Sequence, residues 1–175
     1  MTTQSPEAKP AAVTPTDAFN ALTIGLDREI FAIEATSVRE IFDLVPICEV
    51  PNSPGFVRGL INVRGRVVPL ADLRVVFGMN RKDPDADTRI VVLEVDIDAE
   101  PTIVAIVADR VNDVTDLEAA AMEAPPAVGM RWRPEYVRSI ARRGEGFIII
   151  PDLGRIFGTE GGEEDALLSE GRTEI

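Results

Sequence analysis

Histidine is absent from this 175-residue chain, and cysteine occurs once, as Cys48. Without histidine the chain cannot form a Ser-His-Asp or Cys-His catalytic group, a histidine-ligated zinc site or a phosphohistidine. The single cysteine excludes an internal disulfide, and we expect Cys48 to be buried because its neighbours are apolar. The sequence predicts no metal site and no cofactor, so its function must rest on other chemistry.

Lysine is almost absent as well. Only Lys9 and Lys82 are lysines among 18 basic residues, and 30 acidic residues bring the formal net charge to −12. Such a chain is a poor ligand for nucleic acid or an anionic membrane surface, so neither is expected as a partner. Arginine presents a planar fork of donors that matches carboxylates, so its excess over lysine favours contacts with proteins.

Long hydrophobic runs are missing too. The longest apolar run, residues 103–108, is far too short to cross a bilayer, and the N-terminal residues show no signal-peptide pattern. We therefore expect a cytoplasmic protein with no direct membrane insertion. Residues 1–16 are predicted to form a disordered tail and residues 161–175 an acidic C-terminal tail, which leaves 17–160 as the folded domain.

The folded part is predicted to be mostly β-structure, because short apolar segments alternate with turn residues. Such spacing favours small barrels over a layered α/β fold. The predicted hairpins pair 19–26 with 30–33, 60–63 with 66–70, and 90–95 with 102–107, and a further strand covers 147–150. Short helical turns are predicted at 54–58, 72–77, 134–138 and 152–157, each near a Pro or Asp.

An internal repeat gives the strongest signal. Residues 54–78 align with 134–158 at a shift of 80 with seven of 25 positions identical, and 31–45 align with 104–118 at a shift of 73 with six of 15 identical. The two copies, with matched segments 31–78 and 104–158, follow the same order. They predict two β units related by a pseudo-twofold axis.

Several segments in this order resemble one family. They are Val38-Arg-Glu-Ile41, the segment 54–65 that ends in Asn62-Val63-Arg64-Gly65, Val107-Ala-Asp109, and Phe147-Ile-Ile-Ile. Together the segments cover about 145 residues and are similar to the CheW-like chemotaxis coupling proteins. The Asn-x-Arg-Gly hairpin is the best single marker of this resemblance.

The resemblance implies an all-β fold of two intertwined five-stranded SH3-like barrels related by a pseudo-twofold, with short helices and a groove between the barrels. It implies a chemotaxis adaptor without catalytic activity that couples transmembrane chemoreceptors to the histidine kinase CheA. The expected partners are the regulatory domain of CheA, the cytoplasmic tip of a chemoreceptor and other CheW-like domains in arrays. Such a protein would be recruited to the inner face of the membrane through those arrays. The alternative is a CheW-like coupling protein of a non-flagellar chemosensory pathway, which controls pili, biofilm or another output.

The resemblance also suggests contact residues for the receptor or kinase. Arg64 is either an exposed turn charge or a contact that pairs a partner's carboxylate. Val38, Glu40 and Ile41 are either ordinary core and surface or one wall of the groove, which Val111 and Val114 would face by the pseudo-twofold. Gly59 either meets a backbone requirement or provides clearance at a partner surface.

Asp72 and Asp152 occupy equivalent positions in the two copies. Each precedes Leu and a short helical turn that ends at Phe-Gly, so helix N-capping is the economical interpretation. The competing hypothesis is a small β-barrel hydrolase that uses both carboxylates in one cleft for acid–base chemistry. An acidic stretch from Asp83 to Glu94 imitates a calcium loop, but it lacks the glycine that such a loop needs at its sixth position.

Overall fold

The computed structural model describes residues 19–80, 82–126 and 133–158. The predicted tails, 1–16 and 161–175, lie outside the described residues. The described strands are β1 (Phe19–Leu26), β2 (Glu29–Glu34), β3 (Val38–Asp43), β4 (Val57–Val63), β5 (Arg66–Ala71), β6 (Arg89–Ile97), β7 (Glu100–Ala108), β8 (Arg110–Leu117), β9 (Met122–Glu123), β10 (Val137–Arg143) and β11 (Gly146–Pro151). The helices are α1 (Leu73–Val76) and α2 (Leu153–Phe157), and single 3-10 turns cover Ala35–Ser37, Ala119–Ala121 and Pro134–Tyr136.

The strands form two sheets with the same internal order. The first sheet runs β8-β1-β2-β11-β10-β9 and the second runs β3-β6-β7-β5-β4. When each strand is replaced by its repeat equivalent, the second sheet becomes β8-β1-β2-β11-β10, so the two sheets are copies of one topology. The additional two-residue strand β9 pairs with β10. Its counterpart in the other half is a single bridge, in which Cys48 pairs with Leu60 of β4.

The two repeats exchange strands. The first sheet joins β1 and β2 from the first half of the chain to β8, β10 and β11 from the second half, and the other sheet does the reverse. Parallel pairings join the halves, because β2 pairs with β11 and β5 pairs with β7. The prediction of two intertwined barrels is therefore confirmed, and each sheet depends on both halves of the sequence.

Three clusters of buried apolar side chains divide the core. Small clusters lie inside each curled sheet, around Val68 and Leu70 in one and around Ile148 and Ile150 in the other. The largest cluster contains buried side chains from both sheets, among them Ile24 and Ile106. Burial of both sheet faces supplies the main stabilisation of the pair of barrels.

Strand β7 shows why the sequence allows this arrangement. Val104 and Ile106 belong to the cluster shared by the sheets, whereas Ala105 and Val107 face the interior of their own sheet. Successive side chains of a strand point to opposite faces, so a strand that is buried on both sides must be apolar at every position. The unbroken apolar run 103–108 meets this requirement.

Some local predictions are wrong. Residues 54–58 form a turn followed by β4 rather than a helical turn, and the edge strands β3 and β8 were not predicted as strands. Cys48 was expected to be buried but is exposed, and what it contributes to the sheet is a backbone bridge to β4. Its N–H donates to the Leu60 carbonyl at 2.9 Å, and its carbonyl accepts from the Leu60 N–H at 2.8 Å.

Candidate functional site

Arg64 lies at the tip of the tight hairpin between β4 and β5. Arg64 and Gly65 both have positive φ angles, 52° and 80°, and the flanking Val63 and Arg66 are paired. A two-residue turn with this geometry matches the twist of the strands that it joins. The Asn62 side chain accepts a hydrogen bond from the Gly65 N–H at 2.8 Å, which fixes the turn. The Asn-x-Arg-Gly motif therefore presents the arginine at the end of a rigid hairpin.

The Arg64 guanidinium pairs with the carboxylate of Glu40 on β3. Its Nη2 lies 2.9 Å from Oε1, and its Nε lies 3.1 Å from Oε2. The Arg64 side chain is 82% exposed and that of Glu40 is 30% exposed. Strands β3 and β4 are the two edges of the second sheet, so this bidentate pair links the edges. Two residues that the resemblance suggested separately are thus in direct contact.

The pairing shifts both protonation equilibria. The hydrogen bond from Arg64 lowers the pKa of Glu40 below its ordinary value, and the same bond raises the pKa of Arg64. Both groups are therefore ionised at neutral pH. Because the pair is exposed to solvent, its contribution to folding is small, and its donors and acceptors can be reached by another molecule.

The other barrel has a looser version of the same pair. Asp113 is the repeat equivalent of Glu40, and Arg143 lies one position before the equivalent of Arg64. Nη2 of Arg143 lies 3.9 Å from Oδ2 of Asp113. Each barrel thus places an arginine from a hairpin beside an acid on an edge strand, but only the first barrel has the bidentate geometry.

The predicted apolar contact residues divide into two equivalent pairs. Val38 and Val111 are half-buried and pack against the large cluster shared by the sheets. Ile41 and Val114 are 39% and 55% exposed. Their strand neighbours, Val91 and Leu22, belong to that same cluster. Val38 and Val111 thus extend the core, whereas Ile41 and Val114 leave apolar surface exposed beside it.

Gly59 meets a requirement within the chain. Its φ angle is 147°, and a Cβ atom at this position would lie 2.3 Å from the Cys48 carbonyl oxygen. The clearance that the sequence suggested is thus taken up by the backbone of Cys48. Ser139 occupies the equivalent position in β10 of the other barrel. A contact of Gly59 with a partner stays a prediction.

Asp72 is the N-cap residue of α1, and its carboxylate also belongs to a buried charge network. It accepts from the Arg74 N–H at 3.0 Å and holds the Arg74 guanidinium through two further bonds of 2.9 Å. The same guanidinium donates to Asp109 at 2.8 Å, and these three side chains are at most 6% exposed. Hydrogen bonding to Asp72 raises the pKa of Arg74, which keeps the buried cation charged. No sequence pattern predicted this second role.

Asp152 is the N-cap residue of α2, where it accepts from the Arg155 N–H at 3.1 Å. Asp152 lines an open cavity, whereas Asp72 is fully buried beside Arg74. The hydrolase hypothesis required both carboxylates in one cleft, and the structure separates them. That hypothesis is therefore wrong.

The acidic stretch that imitates a calcium loop has a different structure. Asp85 and Thr88 form a small turn, and Glu94 lies within β6, where its carboxylate pairs with Arg39. The described residues contain no group of acidic or cysteine side chains arranged to hold a metal ion.

Comparison with known proteins identifies the family. The family model for the CheW-like domain matches residues 20–161. The chain belongs to the CheW-like domain family. It is 30% identical over 139 residues to the chemotaxis protein CheW of Klebsiella aerogenes, a match that covers 79% of this chain and 81% of that protein. It is 31% identical over 137 residues to a probable chemotaxis protein CheW of Rhizobium etli, which covers 78% and 84%.

A solved structure agrees with this assignment. The scaffolding protein TtCheW from Thermoanaerobacter tengcongensis superposes with a TM-score of 0.70 at 28% identity, over 79% of this chain and 92% of that one. Within the described residues, the CheW-like domain contains no helix that is both long enough and apolar enough to cross a membrane.

The CheW-like domain also exposes two apolar side chains that sequence reasoning missed. Val67 at the start of β5 and Phe147 at the start of β11 are 67% and 56% exposed. They are repeat equivalents at a shift of 80, so each barrel presents one of them next to its hairpin. Both follow a hairpin turn and precede buried residues of the same strand. The repeat alignment pairs these two apolar residues and could have drawn attention to them.

Proposed function

We propose that this protein is a chemotaxis adaptor that couples transmembrane chemoreceptors to the regulatory domain of the histidine kinase CheA. The observation that carries the proposal is the match of the CheW-like family model over residues 20–161. Chemotaxis proteins named CheW are similar over about four fifths of the chain. The protein holds its partners in fixed relative positions and takes part in no chemical step.

The surface chemistry supports protein contacts at two kinds of place. The exposed pair Ile41 and Val114 flanks the cluster between the sheets, which suits an apolar receptor helix. The exposed pair Val67 and Phe147 lies beside the hairpins, which suits a barrel end of a kinase regulatory domain or of another CheW-like domain. Apolar centres of this kind supply binding free energy, and charged rims set orientation.

The Arg64–Glu40 pair serves as such a rim. Because the bidentate contact orients the guanidinium without burying it, the remaining donors of Arg64 point to solvent and can bind a partner's carboxylate. Individual contacts of this size are modest, so stable association arises from several linked partners at once. The protein acts in the cytoplasm and is recruited to the inner face of the membrane through receptor arrays.

A second candidate function keeps the fold and changes the pathway. The stretch between β8 and β10, which is six residues longer than its equivalent between β3 and β4, sets the second half apart from the first. A coupling protein of a non-flagellar chemosensory system would bind a kinase paralogue instead of the chemotaxis kinase. Binding to each CheA-type kinase of the same cell, measured side by side, distinguishes the two functions.

The Arg64→Glu variant tests the contact surface. We expect it to weaken binding to the kinase regulatory domain or the receptor fragment at least about tenfold, because it places a second negative charge beside Glu40 and removes the donor fork. Its melting temperature should match that of the parent protein, since the pair is exposed. Isothermal titration calorimetry and thermal unfolding measure the two effects.

The matched control is Arg28→Glu. Arg28 lies at the exposed tip of the β1–β2 hairpin on the other sheet and undergoes the same change of charge. Binding to both partners should be retained in this variant. Equal losses in the two variants would indicate a general charge effect and remove Arg64 from the contact surface.

A further inference from the structure

A cavity of about 490 Å³ lies beside Asp152, the N-cap residue of α2, between segments of both halves of the chain. Its wall includes Glu34 on β2, Glu94 on β6, Arg138 on β10, and Asp152 and Gly154 at the start of α2. Beside Arg74, the residue equivalent to Gly154, the corresponding space is only about 20 Å³. The cavity falls within the range of about 300–1,000 Å³ that proteins use to bind small molecules and inserted side chains.

The first half shows what fills this space. Position 74 is arginine where position 154 is glycine, and the Arg74 guanidinium occupies the site through its bonds to Asp72 and Asp109. Arg58 approaches Asp72 as well, at 3.6 Å. The first half thus shows how a guanidinium group binds the N-cap carboxylate of the short helix.

In the second half, Asp152 provides the N-cap carboxylate, but the two arginines that contact Asp72 have no equivalent contact with it. Arg138, the equivalent of Arg58, donates instead to Glu34 at 2.9 Å. Among the described residues, the ion-pair partner of Asp152 is the 62% exposed Arg155, at 3.6 Å. Asp152 therefore faces the cavity without the close guanidinium contacts that its counterpart has.

Position 154 cannot supply the missing side chain. A Cβ atom on Gly154 would lie 2.8 Å from the backbone carbonyl oxygen of Asp96 in β6, so any side chain there would displace the β6–β7 hairpin. The guanidinium must come from elsewhere. The wall of the cavity favours a cation, because it contains four acids and two arginines, which are Glu34, Glu94, Asp96, Asp152, Arg39 and Arg138.

From this comparison within the molecule, we infer that the cavity receives an arginine side chain of another protein, with the guanidinium on Asp152 as Arg74 lies on Asp72. The volume leaves room for the peptide backbone on either side of that arginine. Its recognition uses the planar fork of the guanidinium, so lysine fits less well. This site goes beyond the proposed coupling function, which makes no use of it.

The test uses the full chain with three capped tripeptides, acetyl-Gly-X-Gly-amide, in which X is arginine, lysine or citrulline. Citrulline has nearly the shape of arginine without its charge. Backbone NMR shifts of Asp152 and Gly154 report binding at the cavity. We expect saturable shifts with the arginine peptide, at least about tenfold weaker binding of the lysine peptide, and no saturation with the citrulline peptide.

Two variants localise the effect. Asp152→Asn removes the charge and keeps a good N-cap residue, so α2 should persist while binding of the arginine peptide falls roughly tenfold. Asp96→Asn removes a wall carboxylate that caps no helix, and it should weaken binding in the same direction. Asp72→Asn, in the filled half, should leave peptide binding unchanged if the variant folds.

Several outcomes would overturn the inference. These are the absence of saturable shifts at Asp152 and Gly154 with the arginine peptide, equal binding of the citrulline peptide, or unchanged binding in Asp152→Asn. Shifts of the same residues when the chain alone is concentrated would show that a second copy fills the cavity instead of a different protein. Because no kinase or receptor is present, failure here leaves the coupling function untouched, and failure of coupling leaves this site untouched.

Discussion

Replacing Arg74 with methionine should destabilise the protein strongly. Arg74 is 2% exposed, and its guanidinium is the cation that holds Asp72 and Asp109, which are 0% and 6% exposed. Methionine has a similar length and removes the charge without leaving a large void. Two carboxylates then stay buried without their close cation, a change that costs about 3–5 kcal/mol in comparable networks.

The network also joins separate parts of the chain, which adds to the expected cost. Arg74 donates to the Lys82 carbonyl at 3.3 Å, and Asp109 accepts from the Asp27 N–H at 2.7 Å. For a chain of this length, the predicted loss corresponds to a fall in melting temperature of roughly 6–20 °C. Urea unfolding, analysed by linear extrapolation with the slope compared between variants, gives the free energy directly.

The second half of the molecule provides the matched control. Arg155→Met removes the arginine that pairs with Asp152, the equivalent of Asp72, but this arginine is 62% exposed. Exposed pairs contribute at most about 1 kcal/mol, so the control should unfold nearly as the parent protein does. A loss below about 1 kcal/mol in Arg74→Met, with an unchanged urea slope, would refute the reasoning that burial makes this network indispensable.

Three further predictions follow from the site. Gly59→Ala should destabilise the fold by about 1–3 kcal/mol, because Gly59 has a φ of 147° and the new Cβ would collide with the Cys48 backbone. The matched control, Ser139→Ala, should change the free energy of unfolding by no more than about 0.5 kcal/mol in the same urea assay. The pKa of Glu40, followed by NMR titration, should rise toward 4.5 in Arg64→Gln. Since pairing lowers this pKa, the attraction is complete above pH 4.5 and is lost as the pH falls through the folded-state value. Phe147→Ser should keep the melting temperature and weaken binding of the kinase regulatory domain in calorimetry.

Each of these has a result that would contradict it. Full stability of Gly59→Ala would show that the bridge between Cys48 and Leu60 can move aside. A Glu40 pKa that does not respond to Arg64→Gln would mean that the two side chains do not pair in solution. Unchanged kinase binding by Phe147→Ser would restrict the contact surface to the other barrel or to the groove.

The hairpins could be predicted from the sequence because their signals are local. Each combines a short apolar run, a short polar turn and a second apolar run, as in 60–70. The edge strands could not be predicted in this way. Strand β3 lacks the strict alternation of apolar and polar residues that marks a strand, and it pairs with β6, about 50 residues later, so its conformation depends on a distant partner.

The candidate site divides along the same line. The repeat gave the equivalence of Asp72 and Asp152, but the buried network depends on Asp109, which lies 35 residues from Arg74 in the sequence. The resemblance pointed to Glu40 and Arg64 one at a time, and their contact spans 24 residues. The sequence thus predicted the roles of individual residues, whereas the contacts between residues far apart in the chain could be seen only in the folded structure.

The central claim is tested most directly by reconstituting the signalling unit. The purified full-length chain is added to the CheA kinase and a receptor cytoplasmic fragment from the same cell, and kinase autophosphorylation is followed with and without the chain. The account predicts saturable activation that depends on the receptor fragment and is weakened by Arg64→Glu but not by Arg28→Glu. Kinase activity that is indifferent to the folded chain, for every CheA-type kinase of that cell, would contradict the coupling function.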